Sequence, residues 1–218
     1  MNNILITGAG SGLGAELSRL YSNKDARIIL IGRTTSKLQT VVQELEQNGN
    51  EAVAYVCDIS DHKSVEKVSQ KIIEKYKTID TLINCAGIGH FGPFPDLGLH
   101  EIDQMININL KGTIFMTQAF INVISNKVIN IISTAGLKGK VNESVYVASK
   151  FAVRGLTESL QKEYEKSKLT FTAVYMGGMD TPFWSNTNHI KDRNRLKTPK
   201  EVAELIKSMD DGRNEILI

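Results

Sequence analysis

The chain has 218 residues, 41% of them hydrophobic and 23% charged, which suits one large α/β core and is short for two. A formal net charge of +2 with no long Lys/Arg block excludes a surface that tracks a phosphate backbone, so no nucleic-acid partner is expected. The opening residues lack the basic, apolar and small-residue succession of a signal peptide, and no apolar run reaches bilayer length. Together these features predict a cytoplasmic protein with no membrane partner.

Short β-rich runs alternate with longer amphipathic ones, the pattern of βαβ units around a parallel sheet. The first strand, 3–7, runs into Thr7-Gly8-Ala9-Gly10-Ser11-Gly12-Leu13-Gly14 and a helix over 12–22. Glycines there permit a tight turn and close backbone approach to a pyrophosphate, and the helix offers unpaired N–H groups and a positive dipole end. A Gly-rich turn alone is equally a structural turn; its place between first strand and first helix points to a dinucleotide. The second strand, 27–31, is continuously apolar after its first residue, as a sheet covered on both faces requires, and ends in Gly32-Arg33-Thr34-Thr35 with no carboxylate. In Rossmann folds a carboxylate at this point bonds the ribose 2′-OH of NAD, whereas an Arg accommodates the 2′-phosphate of NADP. Arg33 therefore predicts that NADP(H) is preferred, with NAD(H) as the alternative. There follow a helix over 36–47, a strand over 52–57 leading to Asp58-Ile59-Ser60, a helix over 63–75, and a strand over 81–84 leading to Asn84-Cys85-Ala86-Gly87.

The next helix, 100–123, carries Asn109; the strand at 128–133 ends on Ser133; the helix at 145–166 carries Tyr146 and Lys150. Four residues of separation put Tyr146 and Lys150 on one helical face. An ammonium beside a phenol favours the phenolate and lowers a pKa that is ordinarily about 10. Tyr146 can then exchange a proton with a carbonyl oxygen while hydride moves at the carbon, and the Ser133 hydroxyl can hold that oxygen. A bare Tyr-x-x-x-Lys is as readily a core-facing phenol with a solvated amine. Ser133, at the C-terminal end of a strand, favours the catalytic reading. After a strand over 170–175, the irregular stretch 177–198 reads as a substrate lid, because ligands bind beyond the C-terminal ends of strands in open α/β sheets. A helix over 199–208 and a short strand over 215–218 close the chain.

Thr7, Gly8, Gly12 and Gly14 in Thr-Gly-x-x-x-Gly-x-Gly, together with Ser133, Tyr146 and Lys150, resemble the fingerprint and catalytic set of the short-chain dehydrogenase/reductase family, and the motifs keep the family's order from residue 7 to residue 181. The resemblance implies a single Rossmann-type domain over 1–218, doubly wound, with about seven parallel strands and helices on both faces. It implies that Asn109 is catalytic, holding a water that links Lys150 to solvent, and that Lys150 also bonds the nicotinamide ribose. Cofactor contacts would come from Gly8, Ser11, Gly12, Leu13, Gly14 and Arg33. Asp58 and Ile59 would lie at the adenine, Asn84, Ala86 and Gly87 beside the cofactor, and Gly177, Met179 and Thr181 at the nicotinamide. Two departures stand out: Cys85 replaces the family's second Asn, and Met176 its Pro. A homodimer or homotetramer is implied through the helices at 100–123 and 145–166, the second presenting Phe151, Val153 and Leu156.

The expected activity is NADPH-dependent reduction of a carbonyl to an alcohol, or its reverse, on a small-molecule substrate. The alternatives are an NAD-dependent alcohol dehydrogenase on the same scaffold and a non-catalytic nucleotide-sensing regulator; the intact Ser, Tyr and Lys argue against the latter. Phe91, Phe94, Met179, Phe183 and Trp184 are candidates for an apolar pocket or for plain packing. Lys191, Arg193 and Arg195 either attract an anionic substrate or form a solvated face. Cys57 and Cys85 read as free buried thiols, and the scattered His62, His90, His100 and His189 suggest no metal.

Overall fold

A computed structural model of the chain describes residues 1–184, 189 and 192–218. Its strands are β1 (Asn2–Thr7), β2 (Ala26–Gly32), β3 (Glu51–Val56), β4 (Ile79–Asn84), β5 (Ile124–Ile131), β6 (Thr170–Tyr175) and β7 (Glu215–Leu217). They form one parallel sheet in the order β3-β2-β1-β4-β5-β6-β7. The helices are α1 (Gly12–Tyr21), α2 (Thr35–Gln47), α3 (His62–Tyr76), α4 (Leu99–Met105), α5 (Thr113–Phe120), α6 (Ser144–Glu163) and α7 (Pro199–Ser208). Among the described residues no helix is long and apolar enough to cross a membrane.

The continuous apolar run in β2 is explained by two cores, one on each face of the sheet. Side chains alternate along a strand, so Ile28 and Leu30 join a cluster with Leu17 of α1, Leu38 of α2 and Ile206 of α7. Ile29 and Ile31 join another with Ile72 of α3 and Phe120 of α5. The strand order reverses between β1 and β4, and at such a switch point the βα loops diverge and leave a crevice at the strands' C-terminal ends. A buried polar chain ties the sheet to its helices below that crevice: Asn84 Nδ2 donates to Thr117 Oγ1 (3.0 Å) and Asn130 Oδ1 (2.9 Å), and Asn130 Nδ2 donates to Thr157 Oγ1 (2.9 Å).

Two expectations about elements are corrected. The helix expected over 100–123 is α4, a π-helical segment at Ile106–Gly112, α5 and a 3₁₀ turn at Ile121–Val123. The wide turn seats Asn109 against the loop after β4, and the Thr113 hydroxyl bonds back to the Asn109 carbonyl at 2.8 Å. Such insertions recur at functional sites. The fifth strand starts at Ile124, because Ile79 of β4 pairs with it before a register shift, and it stops at Ile131, leaving Ser133 outside the ladder.

Candidate active site

A cleft of about 740 Å³ runs along the C-terminal ends of the strands, from Arg33 to Trp184, a size typical of small-molecule sites. Its floor begins at the turn after β1. Gly8 has φ +69°, and a Cβ on it would come within 2.9 Å of the Ala86 backbone; a Cβ on Gly14 would lie 2.3 Å from the Gly8 carbonyl oxygen. The turn thus needs glycine for chirality at Gly8 and for sheer closeness at Gly14. Thr7 Oγ1 accepts from the backbone N–H groups of Cys85 (3.0 Å) and Ala86 (3.1 Å), which locks the ends of β1 and β4 side by side. At the start of α1, Ser11 makes no side-chain capping bond and the first turn holds no acidic residue. That helix end is open to an anion, and the bare, glycine-lined cradle before it fits a dinucleotide pyrophosphate.

Gly8, Ser11, Gly12, Leu13, Gly14, Arg33, Asp58, Ile59, Ala86, Gly87, Gly177, Met179 and Thr181 all line the cleft. Asp58 Oδ1 accepts from the N–H (3.0 Å) and hydroxyl (2.7 Å) of Ser60, so a local turn engages one carboxylate oxygen. Arg33 is exposed and makes no ion pair among the described residues, and Thr34 caps α2 without a side-chain bond. Lys37, one turn further along α2, also lines the cleft. Its spacing of four from Arg33 was the available signal for it. Asn84 is a correction: it does not line the cleft, and its amide serves the buried chain between β4, β5 and α5.

The cleft also holds Ser133, Tyr146 and Lys150, all at most 6% exposed. Ser133 has φ 123° and ψ 155°, a region that costs a non-Gly residue of order 1–3 kcal/mol. Its Oγ accepts from the Ala135 N–H at 3.1 Å, which leaves its own proton to donate. Lys150 Nζ donates to the Ile131 carbonyl at 3.2 Å and sits 5.7 Å from the centre of the Tyr146 ring. Burial lowers its ammonium to about 8, with Cys85 pulling the other way.

The expectation that Lys150 lowers the Tyr146 pKa is not met by the protein's own groups. Burial pushes the phenol well above its ordinary value; the Ser133 hydroxyl pulls it down, and the Glu143 carboxylate raises it further. Desolvation outweighs an ammonium that points at a backbone carbonyl rather than at the phenol oxygen. Asn109 is held by three side-chain bonds. Its Nδ2 donates to the Ile88 carbonyl (2.9 Å) and to Ser149 Oγ (3.0 Å), and its Oδ1 accepts from the Ile88 N–H (2.8 Å). Both amide hydrogens are engaged, so the side chain clamps the loop after β4 onto α6, and a water held by this residue would donate to one of its oxygens. Gly87 keeps this region open, since a Cβ there would fall 3.3 Å from Asn109 Oδ1 and 3.5 Å from Lys150 Nζ.

Of the apolar candidates, Phe91, Met179, Phe183 and Trp184 line the cleft, while Phe94 is 66% exposed and outside it. Phe91 meets Tyr146 edge-on at 5.5 Å and stacks on Trp184 at 5.0 Å. Within the stretch read as a lid, the described residues form 3₁₀ turns at Pro182–Trp184 and Arg193–Arg195 and a bridge from Met179 to Lys197. Arg193 does not stand ready for an anion: it pairs with Asp180 at 2.6 Å and donates to the Thr181 carbonyl. Arg195 is exposed, and Lys191 lies outside the described residues. Charged and polar lining residues His90, Glu101, Gln104, Lys140 and Glu143 carried no motif in the sequence to reveal them.

The profile of the short chain dehydrogenase family matches residues 2–192. The sepiapterin reductase of Chlorobaculum tepidum is 34% identical over 211 residues, spanning 92% of this chain and 86% of that protein. An alcohol dehydrogenase from the archaeon Thermococcus sibiricus, solved with 5-hydroxy-NADP, superposes with a TM-score of 0.91 at 25% identity, covering 100% of this chain and 96% of the other. A metagenomic short-chain oxidoreductase in complex with NADP gives a TM-score of 0.85 at 26% identity, with coverages of 100% and 96%.

Proposed function

Since the chain belongs to the short chain dehydrogenase family of oxidoreductases, we propose that it is an NADPH-dependent reductase of a carbonyl group on a small molecule, with Tyr146 as the proton donor. The observation that carries this reading is the placement of Ser133, Tyr146 and Lys150 in one cleft with the glycine turn and Arg33. When bound, the reduced nicotinamide supplies the hydride. Ser133 and Tyr146 hold the carbonyl oxygen, and Tyr146 gives it a proton as the carbon is reduced. The raised phenol pKa keeps that proton in place at neutral pH, which suits reduction. Lys150 holds the ribose side of the cofactor and, with a pKa near 8, can return a proton to Tyr146 after turnover. Asn109 acts by positioning, through its clamp on Ile88 and Ser149. The 2′-phosphate side of the cleft is supplied by Arg33, Thr34 and Lys37, which supports NADP(H) over NAD(H), as do the NADP-type ligands of two structural relatives.

The test is Tyr146→Phe. Turnover with NADPH should fall by about 10²–10⁴, the usual worth of a positioned general acid, while the affinity for NADPH measured by titration stays within about threefold. A variant with near-wild-type turnover would remove Tyr146 from the mechanism. We further propose a cytoplasmic location, supported by two cysteines that are both unpaired, and self-association of the chain through the outer faces of α4 to α6.

A further inference from the structure

Glu143 is a carboxylate that the mechanism above does not use. It precedes Tyr146 by one helical turn at the start of α6, is 7% exposed, and lines the cleft beside the aromatic wall. A charge so placed is costly unless it is matched, and the protein matches it unevenly. His189 Nε2 donates to Oε1 at 2.9 Å. Lys140 Nζ, the cation near Oε2, stands 4.0 Å from it, too far for a hydrogen bond, and is 3.2 Å from Thr134 Oγ1 instead. Oε2 is therefore the oxygen left to accept from something entering the cleft. The charge is felt at the reacting group, where it helps to hold the Tyr146 proton on.

The walls around it are flat. Phe91 and Phe183 stand at 5.5 and 5.9 Å from the Tyr146 ring, and Trp184 lies nearly parallel to Phe91 at 25°. These rings pack on one another, with His189 also stacked on Phe91 at 4.8 Å, and Phe91 and Phe183 stay partly exposed, leaving apolar aromatic surface that a planar ring can meet. Glu143 lines the same cleft as Tyr146 and acts on its phenol, so a ring whose carbonyl oxygen meets Tyr146 shares the pocket with that carboxylate. In a water-poor cleft a charge–charge contact is stronger than at the surface.

We propose that the substrate is a planar, conjugated carbonyl compound bearing a cationic or N–H donor group, that Glu143 accepts from that group while Tyr146 and Ser133 hold the carbonyl oxygen, and that the same carboxylate turns anionic carbonyl compounds away. The inference rests on the reductase reading given above, and deepens it to a substrate class. It also agrees with the engagement of Arg193 by Asp180, which takes away a cation that an anionic substrate would need.

Trp184, the single tryptophan of the chain, lines the cleft, so its fluorescence reports ligand binding without any turnover. Three phenyl ketones serve as probes, titrated in the presence of NADP⁺: one with an aminomethyl group, the unsubstituted parent, and one with a carboxylate. The aminomethyl ketone should bind about ten- to hundredfold more tightly than the carboxylate, the range of a charge-assisted hydrogen bond, with the parent between. Glu143→Gln should compress that spread to about threefold, and Glu143→Asp should keep the order. An absent or reversed order in the wild type, no binding of any probe, or an unchanged spread in Glu143→Gln would each overturn the proposal; if the Gln variant fails to fold, the wild-type order and the Asp variant decide. NADPH oxidation with the same probes scores the other reading separately. The binding order without turnover sinks the reductase assignment and leaves Glu143 its ligand, whereas turnover without the order sinks the Glu143 proposal alone.

Discussion

Ser133 combines a strained backbone with a hydroxyl at the proposed reaction centre, and the two can be separated by substitution. With φ 123°, alanine at this position keeps the strain and loses the hydroxyl, whereas glycine loses both. Ser133→Gly should therefore be more stable than Ser133→Ala by about 1–2 kcal/mol, the relief of backbone strain less the added flexibility of glycine, as read by chemical denaturation; equal stabilities would mean the backbone there is not strained. Both variants should lose turnover. The pH dependence follows from the sign of the Ser133 effect, which lowers a phenol pKa that burial has raised. Without the hydroxyl the phenol rises further, so alcohol oxidation, which needs the phenolate, should reach its plateau at higher pH in Ser133→Ala than in the wild type. An acid shift would contradict the assigned contact. The convergence of these groups was legible in the sequence because a spacing of four puts Tyr146 and Lys150 on one helical face and Ser133 follows the end of a strand. Their electrostatics were not: spacing puts Lys150 on the face of Tyr146, but only the fold shows its ammonium turned to Ile131 and the phenol governed by burial.

At the scale of elements, the strand-to-helix junctions line the cleft, and on the proposed reading the one after β2 sets cofactor choice. Arg33 follows the last strand residue, Gly32, and Lys37 lies in the first turn of α2, so two cations and a helix N-terminus face one end of the cleft. Arg33→Ala should weaken NADPH about ten- to hundredfold, the loss of a charge-assisted contact, with little effect on NADH. Lys37→Ala should do the same more weakly, since a lysine offers a point charge rather than a planar fork. Equal losses for both cofactors, in titrations of each variant, would show that neither residue reads the 2′-phosphate. Periodicity located the strands and most helices to within a few residues because one face or both must be buried. It could not divide 100–123, since α4, the π turn and α5 share one helical stripe of apolar residues. The break depends on contacts far along the chain, such as Asn109 with Ile88 and Ser149. Asn84 was misassigned for the same reason: a motif fixes where a residue stands, but its amide turned inward to Thr117 and Asn130.

At the scale of the whole molecule, the doubly wound order follows from alternation and burial, which is why it could be read ahead of the structure, whereas surfaces meant for a partner leave no such trace. The residues expected to form one show the limit. Val153 is 2% exposed and packs with Tyr175 in the core, and Leu156 is half-buried, so only Phe151, 41% exposed, remains of the apolar set on α6. Yet that face has a second unusual feature. One turn after Phe151 stands Gly155, exposed, with open space where a Cβ would be, at a mid-helix position where glycine costs about 1 kcal/mol relative to alanine. Within one copy nothing offsets that cost. A second copy of the helix laid across the bare backbone at Gly155, with Phe151 beside the contact, would do so by letting two helices approach closely. The opposite face of α6, with Tyr146, Ser149 and Lys150, is buried, so such a contact would buttress the helix of the proposed site from behind. Phe151→Glu should therefore convert a dimer or tetramer into a smaller species in sedimentation at micromolar concentration, and lower the melting temperature with it. A wild type that sediments as a monomer, or a variant with unchanged mass, would show that α6 is not the interface.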